Sequence, residues 1–472
     1  EKHMRNIIRL ICLVPAAAMM PCLIVGCSSV KAPQSASAPW APPAAETNQP
    51  VCRQAQRAVP AGPASLAELV LAALSNSPTT VQAWQAARAA EAARRQATSQ
   101  YYPGLEVSGQ ASEQKSDATG QDIRTTSYGP AANLTWLLLD AGGRGGRIES
   151  AEQELVAANF NYNKAWQDLL RDVASAYYAL YSAQASVQAA RDNVEATDKT
   201  YQAARQKEAA GLATRLDVLT ARSDYEESLS SLESAKGAAL NARGSLAVAA
   251  GLPADTELQI APPSGEPPTR LTQDSVRAIV DSALGLRPDV AARRANLNAK
   301  LAEVQSANSG LWPSLSVGAQ AGKTWNSYDL DSIEDNDAYT YMGYLALKWQ
   351  IFDGFLTVAK KRKAQAEAEA ARAALRASEL TASSDVWSSY QDFQTAIQKY
   401  AFSKTYLESS KESYDLALEG YDAGLKSILD LLNAQSKLSS ARNQMIQNEK
   451  DLYMALVKLA HAAGRITVQD VK

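Results

Sequence analysis

Hydrophobic and polar positions alternate in two short zones of the chain, and each zone follows a proline. Residues 105–109 alternate after Pro103, and residues 315–319 repeat the same spacing after Pro313. Proline is poorly tolerated inside a helix, and a period of two is typical of a half-exposed strand. We therefore predict that a helix ends and a strand begins at each of the two prolines.

Long stretches without helix breakers lie between these zones. From Arg147 to Ala210 the chain contains neither proline nor glycine. A helix over residues 146–210 would be roughly 95 Å long at 1.5 Å per residue, and helices over 65–102 and 212–250 roughly 55 Å each. Two short helices stacked end to end would match one long helix, which predicts a long antiparallel rod.

Matched residues recur at one constant spacing along the chain. The separation is 213 residues for Trp136 and Trp349, for Gly211 and Gly424, and for Gly251 and Gly464. A constant offset across separate motifs indicates an internal duplication. We predict a first repeat at 65–260, a linker at 261–271 and a second repeat at 272–468. Each repeat has the order helix, two strands, long helix, helix.

The last helix of each repeat carries a seven-residue hydrophobic spacing. The two series are Val218, Tyr225, Leu232, Ala239 and Leu246, and Leu431, Leu438, Met445, Leu452 and Leu459. A strict seven-residue repeat favours left-handed coiled-coil packing. An ordinary amphipathic bundle helix would explain one such series, but it explains two matched series less well.

The N-terminus has the features of a targeting segment. Basic residues precede an apolar stretch that Pro15 and Pro21 interrupt, and residues 23–27 read Leu-Ile-Val-Gly-Cys, which resembles a bacterial lipobox. We predict a signal peptide at 1–26, a lipid on Cys27 and a flexible, lipid-anchored tether at 27–64, rich in Pro, Ala and Ser. The alternative is a plain signal peptide that happens to contain a cysteine.

Aromatic residues gather around the predicted strands, among them Tyr128, Trp136, Trp325, Tyr339 and Trp349. Aromatic girdles beside a lipid-facing band are typical of membrane β-barrels, although a small soluble sheet with an aromatic core remains an alternative. Four strands cannot close a barrel, and an open sheet edge cannot lie in lipid. Three chains would give twelve strands. The polar stretches 112–126 and 323–338 predict solvent-facing loops.

Composition argues against several other classes of protein. The net charge of −3 provides no basic field for nucleic acid, and His3 and His461 are the only histidines. The glycine-dense stretch 142–146 lacks a phosphate-loop pattern. We therefore expect no catalytic residues, no metal site and no cofactor, and we do not expect an enzyme.

The motifs together resemble the TolC-type outer-membrane efflux family, and its lipid-anchored branch in particular. They are Ala-Gly-Leu-x-x-x-Leu-Asp-x-Leu at 210–219 and 423–432, Trp-x-Leu/Ile-x-Asp at both strand ends, and the lipobox. The resemblance implies a mainly helical chain with a coiled-coil barrel and four strands of a trimeric, 12-stranded barrel. It also implies a homotrimer in outer-membrane lipid, a periplasmic adaptor protein and an inner-membrane pump of the RND or ABC type.

The resemblance also assigns roles to the two turns that follow the long helices. Gly211, Leu212, Gly424 and Leu425 would contact the adaptor. Glycine also allows a tight reversal, so turn formation alone is an alternative for these positions.

The pore entrance and its gate would involve Asp217, Asp430, Tyr421 and Lys426. Lys426 stands where well-known members have arginine, and lysine lacks the two-pronged fork of arginine. Helix capping is an alternative, compatible role for Asp217 and Asp430.

Three functions therefore remain open from the sequence. The first is a channel of a tripartite system that exports drugs or other small molecules. The second is the outer-membrane channel of type I protein secretion. The third, from a different class, is a structural periplasmic coiled-coil lipoprotein without a pore.

Overall fold

A computed structural model describes residues 33, 40, 62–118, 121–263, 265, 276–329 and 334–465. The predicted signal peptide and Cys27 lie outside the described residues. The first half of the chain runs in the order α1 (Leu66–Asn76), α2 (Pro78–Thr98), β1 (Gly104–Ala118), β2 (Gln121–Leu139), α3 (Gly143–Ala209) and α4 (Arg215–Ala249).

The second half repeats this order of elements. It contains α5 (Val276–Leu286), α6 (Pro288–Ser309), β3 (Ser314–Tyr328), β4 (Asn336–Lys348), α7 (Leu356–Asp422) and α8 (Ile428–Ala462). The prediction of a mainly helical, internally duplicated chain with four strands is confirmed. The repeat boundaries and the linker stay predictions, since part of the linker lies outside the described residues.

The single helix predicted over 65–102 is wrong in one respect, because the chain breaks it into two. Ser77 has an extended backbone, with φ −68° and ψ 122°, between α1 and α2. Pro78 follows it, and a proline disfavours helical geometry in the residue before it. Arg287 before Pro288 shows the same break between α5 and α6, with φ −70° and ψ 122°.

The four strands form one antiparallel sheet in the order β1-β2-β3-β4, and β2 pairs with β3 across the two halves. The predicted polar loops at 112–126 and 323–338 are wrong, because most of these residues extend the strands. Cross-strand polar contacts accompany the extended ladder: Arg124 Nε lies 3.4 Å from the carboxylate of Glu113. Backbone pairing needs no apolar side chains, so polarity alone did not mark a loop.

Long helices pack side by side below the sheet. α3 packs against α2, α4, α6 and α8, while α7 packs against α5, α6 and α8. Six residues of the two seven-residue series are buried between the helices: Val218, Leu246, Leu431, Leu438, Leu452 and Leu459. No helix within the described ranges is both long and apolar enough to cross a membrane.

β2 and β4 are each followed by a bend built from two consecutive left-handed residues. Ala141 and Gly142 have φ 51° and 88° before α3, and Gly354 and Phe355 have φ 65° and 69° before α7. The indole nitrogens of the matched tryptophans donate to backbone carbonyls at the ends of the preceding helical segments: Trp136 to Tyr101 and Trp349 to Leu311. Both halves therefore use the same junction between sheet and rod.

Candidate functional site

Two matched turns lie at the end of the rod away from the sheet. We call residues 207–217 the first tip turn and residues 420–430 the second tip turn. In the first, the amide of Leu212 donates to the carbonyl of Lys207 at 2.8 Å, and that of Gly211 donates to Glu208 at 2.9 Å. The second turn repeats this pattern, with Leu425 donating to Gly420 at 2.8 Å and Gly424 to Tyr421 at 3.0 Å.

Glycine is required at the reversal in both turns. Gly211 and Gly424 have φ of 71° and 76°, in the left-handed region that other residues rarely adopt. The hydrogen bonds form a Schellman motif, which satisfies the last carbonyls of each long helix. A Cβ added at either glycine would meet nothing within 4 Å, so backbone strain, not a steric clash, is what another residue would cost there.

A capping box starts the helix after each turn. The Thr214 hydroxyl accepts from the amide of Asp217 at 3.2 Å, and the Asp217 carboxylate accepts from the amide of Thr214 at 2.8 Å. Ser427 and Asp430 make the equivalent bonds at 3.2 and 3.0 Å. Both aspartates thus satisfy backbone donors at a helix N-terminus, as the capping interpretation predicts.

Apolar side chains project from both turns into solvent in this single chain. Leu212 and Leu425 are 78% and 83% exposed, and Leu216 and Leu429 lie one turn further along α4 and α8, also exposed. Large exposed apolar side chains that cluster at one end of a molecule are typical of a protein–protein contact surface.

Lys207 joins the two tip turns. Its Nζ lies 4.0 Å from the centre of the Tyr421 ring and donates a hydrogen bond to the Tyr421 backbone carbonyl. An ammonium group over an aromatic face is attracted by the ring quadrupole. The contact spans residues 214 positions apart, so both turns lie at the same end of the rod.

Tyr421 is buried between the two hairpins. It packs in a cluster with Ala204, Val218, Ile428 and Leu431. Burial raises the pKa of its phenol, and the carboxylates of Asp217 and Asp422 raise the pKa further. The Tyr421 hydroxyl has no hydrogen-bond partner among the described residues. Its ring therefore contributes packing and a face for the Lys207 cation.

The charged residues at the turns are arranged differently from what the sequence suggested. Lys207, which no sequence motif indicated, is the cation on Tyr421, whereas the side chain of Lys426 lies beside Gly420. Arg215 lies 3.5 Å from the Glu208 carboxylate within its own turn. The 213-residue offset could not reveal Lys207, because its counterpart is Gly420.

Asp430 is held ionised by its cap. Hydrogen bonds from the Ser427 hydroxyl and backbone amide lower the pKa of its carboxyl group, and the Lys426 charge lowers the pKa further. The side chain is exposed at the end of the rod. A carboxylate in that position adds negative charge to the surface of the tip without leaving its cap.

The described residues contain no group of three or more His, Cys, Asp or Glu side chains placed to hold a metal ion. The features of the tip are therefore two tight turns, exposed leucines, paired acidic caps and one cation on a buried tyrosine. These features suit contact and electrostatic control at a rod end.

A rod of long paired helices that carries a four-stranded antiparallel sheet is the fold of outer-membrane channel protomers. The solved structure of the outer-membrane channel OprN shares it, with a TM-score of 0.73 at 23% identity over 85% of this chain and 90% of that one. The structure of the Vibrio cholerae outer membrane protein VceC also has a TM-score of 0.73, at 21% identity over 84% of this chain and 96% of that one.

The family model for outer membrane efflux proteins matches residues 69–252 and 279–465, and the chain belongs to this family. One relative is Protein CyaE of Bordetella pertussis, 28% identical over 85% of this chain and 84% of its own length. Another is outer membrane efflux protein BepC of Brucella suis, 24% identical over 79% of this chain and 80% of its own length.

The chain is thus a protomer of an outer-membrane efflux channel that extends into the periplasm. The predicted TolC-type family, fold, efflux function and outer-membrane location are confirmed, whereas the lipid-anchored branch stays a prediction. Proteins of this family work as trimers with a periplasmic adaptor and an inner-membrane pump. Protein secretion and a pore-free structural lipoprotein are not favoured.

Proposed function

We propose that the two tip turns form the periplasmic entrance of the channel, with Asp217, Asp430, Tyr421, Lys426 and also Lys207 around it. The Lys207–Tyr421 contact carries this proposal, because it draws the turns together at the end of the rod opposite the sheet. In a trimer, three copies of this end would meet around the threefold axis. The acidic caps would then form rings of carboxylates.

The register of the sheet supports its use as a channel wall. One face carries apolar side chains and the other is mostly polar. The apolar face has Leu105, Val107, Leu134, Trp136, Leu315, Val317, Leu345 and Leu347, and the polar face has Glu106, Ser108, Gln110, Asn133, Thr135, Ser316 and Gln320. An apolar face suits lipid, and a polar face suits a water-filled lumen.

The height of the apolar face also fits a membrane. On β3 this face runs from Leu315 to Trp325, which stacks on Tyr128 at 5.6 Å. Its one charged residue over that range is Lys323, which pairs with Asp337 at 2.8 Å. The stretch from Leu315 to Trp325 is roughly 33 Å long along the strand at 3.3 Å per residue. At a strand tilt of about 40°, it spans roughly 25 Å along the membrane normal. This is close to the apolar band of known membrane barrels, at about 25 Å.

Both edges of the protomer are open and come from different halves. β1 and β4 are the edge strands, while α4 and α7 flank the lower rod. Exposed apolar residues lie on both edge helices, including Leu240 on α4 and Trp387 and Phe402 on α7. Because the two edges differ, one edge of each protomer can pair with the other edge of its neighbour and so close a ring. Three copies of the chain then give twelve strands.

Trimer formation tests this use of the edges. We expect Phe402→Asp to abolish heat-resistant trimers on gels, because the new carboxylate would be buried against the neighbouring protomer. Lys411→Asp is the matched control, since it places the same charge on the opposite, exposed side of α7. Equal trimer yields from the two variants would contradict the proposed interface.

The carboxylate ring is tested by single-channel recording. Asp430→Ala should weaken block by hexamminecobalt applied from the periplasmic side, because the trivalent cation loses a ring of three carboxylates. Asp430→Glu should retain the block. If Asp430→Ala left the block unchanged, Asp430 would have a capping role alone.

Leu212, Leu425 and the glycines beside them would contact the adaptor, and their exposure supports this use. Leu425→Asp should reduce cross-linking to the adaptor encoded nearest the gene, whereas Lys411→Asp, 13 residues before Gly424 on α7, should not. The neighbouring genes would identify the type of pump: an RND transporter indicates small-molecule efflux, and an ABC exporter beside a large repeat protein indicates secretion.

Cys27 would carry the lipid anchor, which mass spectrometry of the mature N-terminal peptide tests.

A further inference from the structure

Trp40, in the predicted tether, is bound to the body of the protein. Its backbone amide donates to Asn163 Oδ1 at 2.7 Å, and Asn163 Nδ2 donates back to the Trp40 carbonyl at 2.7 Å. The Trp40 ring meets Phe160 edge to face, with centroids 5.2 Å apart. A side-chain amide that bonds both polar groups of one residue holds that residue in one orientation.

Pro33 is bound seven residues earlier. Its carbonyl accepts a hydrogen bond from Trp84 Nε1 at 2.7 Å, and Pro33 is buried. Arg88, one helical turn further along α2, stacks on the Trp84 ring at 5.1 Å. We call Trp84, Phe160 and Asn163 the tether seat.

The two contacts define a direction along the rod. α2 runs towards the sheet and α3 runs away from it, so Trp84 lies closer to the sheet than Asn163 does. Pro33 therefore lies closer to the sheet than Trp40 does. Cys27 precedes Pro33 by six residues in the sequence.

The free length matches the distance that it has to cover. Trp84 lies 14 residues before the end of α2, which places it roughly 21 Å below the start of the sheet at 1.5 Å per residue. The six residues from Cys27 to Pro33 reach roughly 20–22 Å when fully extended. A lipid on Cys27 would thus just reach the level at which the strands begin.

We propose that the tether seat is a docking site for the N-terminal segment that sets the free length of the lipid anchor. The seat places the acylated cysteine and the base of the sheet at one membrane surface. This inference rests on the lipid anchor of the proposed function, and its partner is the acyl region of the inner leaflet. Without the seat, the lipid anchor would not fix the height of the rod relative to the membrane.

The seat itself is tested without any lipid. A photo-crosslinking benzoylphenylalanine in place of Trp40 in the full-length protein should cross-link to the α3 peptide that contains Phe160 and Asn163. A version with Cys27→Ser should give the same product, so a failure of lipidation and a failure of the seat are distinguishable. Cross-links only to other peptides, or none, would overturn the docking.

The length match is tested by deletion on either side of the seat. Deleting residues 29–31 shortens the reach by roughly 10 Å. Trimer yield in the outer membrane should fall by more than about fivefold, because a linker that cannot span its two sites supplies almost no local concentration. Deleting residues 45–47, beyond Trp40, is the matched control and should have no effect.

Adding Trp84→Ala and Asn163→Ala to the 29–31 deletion should restore the trimer yield, because release from the seat lengthens the free segment. Metabolic labelling of Cys27 with an alkyne fatty acid reports lipidation separately in each variant. Equal effects of the two deletions, with Cys27 labelled, would overturn the proposal, and so would a failure of the seat substitutions to restore the yield.

Discussion

The two tip turns share a backbone and differ in their side chains. Both use a left-handed glycine, a Schellman hydrogen-bond pattern and a capping box. At equivalent positions the first turn has Lys207 and Glu208, where the second has Gly420 and Tyr421. The first turn therefore supplies the cation of the cross-hairpin contact, and the second supplies the aromatic ring and the small residue beside it.

This difference separates two roles within one duplicated motif. What both turns keep is the chemistry of chain reversal, which each copy needs for itself. What they do not share is the chemistry that binds one hairpin to the other, which needs unlike partners. A variant at a shared position should therefore have equal effects in both turns, and a variant at an unshared position should not.

The largest expected difference is between Tyr421→Ala and Glu208→Ala. Tyr421 is 5% exposed, and truncation of a buried aromatic residue costs about 3–5 kcal/mol. Glu208 forms one partly exposed ion pair, for which about 0–1 kcal/mol is expected. Thermal unfolding of the purified channel measures both. Tyr421→Phe should have a stability close to that of the wild type. Equal losses of stability in Tyr421→Ala and Glu208→Ala would contradict the proposed difference between the two turns.

Substitution of the turn glycines should show equality instead. Gly211→Ala and Gly424→Ala should each cost about 1–2 kcal/mol, because a left-handed alanine is strained by that amount. Gly237→Ala is the control and should stabilise the protein. This glycine lies inside α4 with open space around it, and alanine favours a helix over glycine by about 0.5–1 kcal/mol. Unequal losses at 211 and 424 would indicate that one turn is held by more than its backbone.

A smaller difference is expected between the two lysines at the turns in their coupling energy to Tyr421. Lys207→Met should lose about 0.5–1 kcal/mol of coupling to Tyr421 in a double-mutant cycle with Tyr421→Leu. Lys426→Met in the same cycle should show no coupling, because the cation on the ring is Lys207. Coupling at Lys426 instead would move the contact to the residue that the family resemblance had indicated.

Lowering the pH should produce the smallest effect, a loss of the stability that the Asp430 cap contributes. The pKa of Asp430 in the folded protein lies below its ordinary value of 3.8, so its cap contributes stability above that pH and loses it as the pH falls through the lowered value. Hydrogen exchange at the Ser427 and Asp430 amides, corrected for intrinsic rates, should therefore accelerate below about pH 4. Asp430→Asn should abolish this response, and an unchanged response would assign it to another group.

Periodicity and spacing predicted most of the fold. The long helices are correct to within about three residues, and the strands begin where the prolines indicated. The strand extensions were missed because polar residues carry no alternation signal, although their backbones pair fully. The break at Ser77 was missed because the helical pattern continues on both sides of Pro78.

Less of the candidate site was predictable. The two reversals and both acidic caps followed from local motifs, which fold within ten residues. The contact of Lys207 with Tyr421 did not, since it depends on how two hairpins 214 residues apart lie against each other. The docking of Trp40 on Asn163 was hidden for the same reason, at a separation of 123 residues.

The pairing of β2 with β3 has a consequence for the order in which the chain folds. Ser127 bonds to Asn326 across 199 residues, so the sheet cannot join its halves until nearly three hundred residues beyond the signal segment have been made. Helical hairpins form from contacts near in sequence, whereas such distant pairing carries the entropy of closing a large loop. Synthesis should thus deliver finished hairpins first, with two unjoined strand pairs whose exposed edges await each other.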